Sequence, residues 1–212
     1  LNETCVAFNN DPIQKAKFIS IIEEAYKEKR IVSGQYWCEN DSKGCLVGSI
    51  VQTEDSPHQE FSNDMNVPIW FPHILDTIFE GLPEGGRQDF AVKVIKAIPV
   101  GFSNWQSLYH KLFIFNLEEI CKNIDHPIVK QVIADILVLH KKEEKDEAKW
   151  SAAQSAARSA ARSAAESAAW SAQSAAWSAE SAAESAAESA AESARSAAYH
   201  KIAKKIVGLL EE

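Results

Sequence analysis

The sequence predicts an all-α protein, with a compact multi-helix body over residues 1–148 and one very long Ser/Ala-rich helix over residues 149–212. Three observations carry that expectation. Apolar residues recur at three- and four-residue steps along the body, as a helix face requires. Pro and Gly break those runs at intervals that suit short connections between helices. The final stretch is written in S-A-A-x tetrads, close to one helical turn each. No segment alternates as a half-buried strand does, and no hairpin dipeptide lies between two such segments.

Asp11-Pro12 reads as the cap and first residue of a helix that runs to about Arg30. Its expected inward face is Ile13, Ala16, Phe18 or Ile19, Ile22 and Tyr26. Residues 31–42 form a connection containing Gly34, Trp37 and Cys38. The short apolar run Cys45 to Val51 suits a buried helix, although seven residues also allow a strand. Ser56-Pro57 opens a short helix through Phe61. The steps of Phe71, Ile74, Leu75, Ile78 and Phe79 are helical, with Pro72 in the first turn and Gly81 and Pro83 as the stop. Gly85-Gly86 reads as a hinge before a helix through Phe90, Val94, Ile95 and Ile98. Ser103 caps the next, through Trp105, Leu108, Leu112, Phe115 and Ile120. Pro127 restarts the chain into a last body helix, with Ile128, Val132, Ile136 and Leu139, before the charge run 141–149.

From Trp150 to Tyr199 there are 23 Ala and 13 Ser. Alanine is the best helix former, and neither Pro nor Gly intervenes before Gly208. One helix from about Glu147 to Leu210 would be roughly 90 Å long. The serines from Ser151 to Ser196 step by about 3.75 residues on average, a drift that favours right-handed winding. Three-residue steps after Ser171, Ser178 and Ser193 partly correct it. Small side chains allow close helix approach, so the stripe is expected to form a seam with the body or with a second chain. Trp170 and Trp177, seven apart, are candidate docking residues on one face. Ice binding is disfavoured because the hydroxyl residue is Ser and not Thr. A membrane-surface role is disfavoured because the strip lacks the large apolar and basic faces it needs.

The net charge is −8, and residues 149–212 contribute nothing to it. An acidic body disfavours direct nucleic-acid binding, which needs clustered Lys and Arg. No apolar run is long enough to span a membrane. The four cysteines, Cys5, Cys38, Cys45 and Cys121, lack the spacing of a small disulfide scaffold. Reduced thiols and the lack of a signal-like start point to a cytoplasmic protein.

Reactive residue types are densest from Gln35 to His58. At a helix start beside Lys43, Cys45 would gain thiolate character, with His58 as base and Gln35 as oxyanion donor. The competing reading is a buried structural thiol. A zinc site from Cys38, Cys45, His58 and His73 is disfavoured by six residues between the cysteines, so no metal is expected. A Cys38–Cys45 disulfide is the oxidising alternative. Glu80, at a helix end, would reach Arg87 or stay solvated. A ligand pocket could use Trp37, Trp70 and Trp105 if Lys43, Arg87 or Lys93 converged on it. No phosphate loop or hydrolase elbow is present, and no cofactor is expected.

Trp37-Cys38, Lys43-Gly44-Cys45-Leu46-Val47-Gly48, His58, Pro68, Ile78-Phe79-Glu80-Gly81-Leu82-Pro83 and the Ser/Ala/Trp-rich tail together resemble an uncharacterised protein family of bacteria and of phage or prophage settings. The resemblance covers residues 35–210. Relatives often carry Cys where this chain has Ser49 and a His where it has Gln52. No established activity comes with the resemblance, and its setting implies a protein that binds a host factor. The leading expectation is therefore a non-enzymatic helical interaction protein or homodimer. A Cys45/His58 enzyme and a small-ligand binder are the alternatives.

Overall fold

The computed structural model describes residues 5–176 and 183–211, with side-chain surroundings for 5–165 and 195–211. The described residues are mostly helical, as the sequence predicts. By contact the chain forms two units, residues 1–108 with 194–212 and residues 109–193. Contact thus groups the chain differently from composition, which changes near residue 149.

In the first unit, α1 (Pro12–Lys27) starts where the Asp11 side chain accepts from the Ile13 N–H at 2.8 Å. Its inward face is Phe18, Ile22 and Ala25, so the stripe is rotated from the expected one. Ile13 is 78% exposed. The connection that follows contains a minimal hairpin that the lack of alternation concealed. Strand β1 (Trp37–Cys38) pairs antiparallel with β2 (Lys43–Gly44), Trp37 opposite Gly44 and Cys38 opposite Lys43. Two residues per strand are too few to leave a period.

Helices α2 (Leu46–Val51), α3 (Pro57–Met65), α4 (Trp70–Gly81) and α5 (Glu84–Ala97) follow. Gly85 and Gly86 lie inside the first turn of α5, so they are helical and not a hinge. Helix α1 packs on α2 and α5, and α4 on α2, α3 and α5. The core between them is Phe61, Phe71, Phe79, Ile22, Leu46 and Ile95, all fully enclosed.

Helix α6 (Trp105–Cys121) starts in this unit; Trp105 is buried among Trp70, Phe71 and Phe102, and its Nε1 donates to the Cys5 carbonyl at 3.1 Å.

The second unit holds the rest of α6, with α7 (Pro127–Lys141) and α8 (Glu147–Ala176). Pro127 opens α7 as expected. Helices α7 and α8 pack along one another. The inward row of α8 is Trp150, Ala153, Ala157, Ala160 and Ala164, while Ser151, Ser155 and Ser159 face water. The seam is thus made by alanine at alternating three- and four-residue steps, not by the serine row. Alanine lets α8 approach closely and leaves no hydroxyl to satisfy.

Helix α9 (Ala183–Glu211) ends the chain. Its anchor is the segment after the repeat, where Ala203, Ile206, Leu209 and Leu210 are buried in the first unit. The Tyr199 ring lies where a side chain on Gly81 would have to go. The expected single helix crosses residues 177–182, which lie outside the described residues. Trp177 and the side chain of Trp170 lie outside them too.

Candidate functional site

Cys45 and His58, singled out from the sequence, belong to one cluster in the first unit. Gly44 and Gly48 press on the Tyr36 main chain, and a Cβ on either would overlap the Tyr36 carbonyl oxygen. The Cys45 N–H donates to the Gln35 carbonyl at 2.9 Å and to that of Tyr36 at 3.2 Å. Its thiol caps α2 by accepting from the Gly48 N–H at 3.4 Å. Ser49, fully enclosed, donates its hydroxyl to the Gly44 carbonyl at 3.0 Å. The K-G-C-L-V-G-S segment is thus tied by its own backbone.

Asp76 joins this knot to His58. Burial first, then the Asp76 charge, push the Cys45 thiol well above its ordinary range. On the far side, His58 Nε2 lies 3.4 Å from Asp76 Oδ2. The His58 ring stacks on that of His73, centroids 4.0 Å apart, and meets Tyr36 edge-on. Burial, then His73, lower the His58 pKa, while Asp76 acts in the opposite sense. His73 and Asp76 are three apart on α4 and so share a face. Asp76 was not singled out from the sequence. Its only signal was that it is, with Glu80, one of two carboxylates on a mostly apolar helix.

The remaining candidates are held by other bonds. Lys43 pairs with Asp41 at 3.7 Å. Gln35 Nε2 donates to the Lys43 carbonyl at 3.4 Å, across the hairpin. The two Glu80 carboxylate oxygens accept from the Gly34 N–H, each at 3.2 Å. Arg87 donates to the Glu80 main-chain carbonyl at 3.1 Å and to Ser33 Oγ at 2.7 Å. Glu80 and Arg87 therefore pin the 33–34 loop to α4 and α5. Trp37 is buried on β1 against Gly44, and Trp70 stacks edge-on with Trp105. Cys38 is half-buried, and none of the four cysteines is joined in a disulfide within the described chain. Among the described residues, no group of three or more His, Cys, Asp or Glu is placed to hold a metal ion.

Comparison with protein-family models, with curated proteins and with solved structures gives no match for this chain. Among the described residues, no helix is long and apolar enough to cross a membrane.

What this arrangement can do chemically follows from its bonds. A nucleophilic cysteine needs an accessible thiolate beside a base. Here Cys45 is 1% exposed, spends its sulfur on a backbone N–H, and has a carboxylate for its ionic neighbour. The geometry is that of a structural thiol.

Proposed function

We propose that this protein acts by binding another protein chain and not by catalysis. The observation that carries the reading is the set of large apolar side chains left open in the second unit, one on α6 and two on one side of α7. Ile120 is 42% exposed, Ile128 53% and Val138 47%. Ile128 and Val138 lie about 80° apart around α7, on one side of the helix. The opposite side, with Ile133 and His140, is buried. Large exposed apolar side chains sharing a face are what an interaction surface presents.

The occupant we propose is a second copy of the chain, because a two-fold pairing of α7 faces needs no other component. The resemblance to a phage-associated family supplies the competing occupant, a host factor. Light scattering over a concentration series tests the choice. The dimer mass is expected for the native chain and the monomer mass for the Ile128→Glu, Val138→Glu double variant. A native chain that stays monomeric at every concentration overturns self-association.

A further inference from the structure

A cavity of about 980 Å³ lies between the start of α5 and the last turns of α9, within the first unit. Its volume is that of small-molecule sites, at the upper end of their usual range. Its buried lining residues are apolar, Leu82, Phe90 and Ala203, with Val207 half-buried beside them. The rim carries Lys93, Lys201, Lys204 and His200 against two carboxylates, Asp89 and Glu211. Asp89 is engaged by Lys93 at 3.8 Å and by the Tyr26 hydroxyl at 3.0 Å. The rim is thus basic on a chain whose net charge is −8.

Two glycines in its lining have no structural need to be glycine. Gly85 and Gly208 are both helical, and neither has a positive φ. A Cβ at either would meet nothing within 4 Å. Gly44, Gly48 and Gly81 differ, because a side chain there would collide with neighbouring atoms. Glycine is the poorest helix residue after proline, so alanine would serve the helix better at both sites. What the missing side chains preserve is open volume, on the α5 wall and on the α9 wall.

We infer that this cavity binds an amphipathic carboxylate of the fatty-acid type. The alkyl chain lies on the apolar lining, and the carboxylate sits among the rim lysines. This inference does not depend on the protein-binding surface of the second unit.

Calorimetric titration of the full chain with decanoate, below its micelle concentration, tests it. Saturable binding of one decanoate per chain is expected. Decanol keeps the chain without the charge, acetate keeps the charge without the chain, and each should bind at least about tenfold more weakly. Gly208→Leu should abolish decanoate binding without lowering the melting temperature, because leucine favours the helix and projects into open space. If that variant fails to fold, Gly85→Leu makes the same test from the other wall. Lys204→Glu should weaken decanoate by about tenfold and leave melting unchanged. No saturable binding, equal affinity for decanol, or undiminished binding by a folded glycine variant overturns the inference.

Discussion

The two units bury different things. In the first, aromatic and branched side chains from six helices are fully enclosed, and Phe61, Phe71 and Phe79 meet no water at all. In the second, the described buried residues are Leu112, Ile133, Ala160 and two histidines, His110 and His140. The histidines face each other across α6 and α7, Nδ1 to Nδ1 at 3.0 Å, with Phe113 stacked on His140 and Trp150 edge-on to it. The contrast has a compositional cause. Alanine brings helices close but fills little volume, so a helix such as α8 cannot enclose the large side chains of its neighbours. The second unit is left with a narrow seam, a polar pair inside it and apolar residues half open to water.

Core truncation should separate the units most. Phe71→Ala leaves a large void among packed neighbours and is expected to cost about 3–5 kcal/mol. Ile133→Ala, in the more open unit, should cost about 2 kcal/mol, the low end for such a change. Denaturant unfolding followed by circular dichroism measures both, and equal losses would erase the distinction.

Acid comes next. Burial first, then His110, hold His140 down to about 4, and burial also lowers His110. In the unfolded chain each titrates near 6.5. Between those values the unfolded state binds more protons, so stability falls as pH falls through that window. The melting temperature should therefore drop between about pH 7 and about pH 4.5, and the drop should be smaller in His140→Phe. His58, in the first unit, is lowered in the same direction and should account for part of the remainder.

The smallest effect concerns the thiol. Iodoacetamide should modify Cys45 in the native chain far more slowly than in the unfolded one, because the thiol is buried and protonated. Cys45→Ser, which keeps a side-chain acceptor for the Gly48 N–H, should cost only about 1 kcal/mol. Rapid native alkylation would restore the nucleophile reading.

How much of this the sequence disclosed depends on the kind of signal. Helix starts at Asp11, Ser56 and Pro127 were legible because a cap or an N1 proline is a local choice. The inward face of α1 was only partly legible, because Ile13, Phe18 and Ile19 are all strongly apolar and only tertiary contact decides which of them turn inward. The hairpin at 37–44 escaped because it rests on main-chain hydrogen bonds and two close-packed glycines. The presence of Cys45 and His58 in one cluster could be guessed from their chemistry. Their mediator, Asp76, could not, since nothing in the sequence sets it apart from Glu80, the other carboxylate of α4. Composition revealed the described parts of the tail as helical, but the seam of α8 lies one to two residues off the serine row, because serine can stay hydrated while alanine is the cheaper residue to bury.

The three glycines at 44, 48 and 81 lie in the segments Lys43–Gly48 and Ile78–Pro83, the first of which contains the reactive-looking Cys45. At each, one carbon atom more would collide with Tyr36 or with Tyr199. A segment that reads like a reactive signature can therefore be a record of clearance. Any chain that seats a cysteine-capped helix on a neighbouring carbonyl, and fits a tyrosine from its far end against α4, must leave the same gaps. Glycine at these positions then reports fit between distant parts of the chain, with no reaction required.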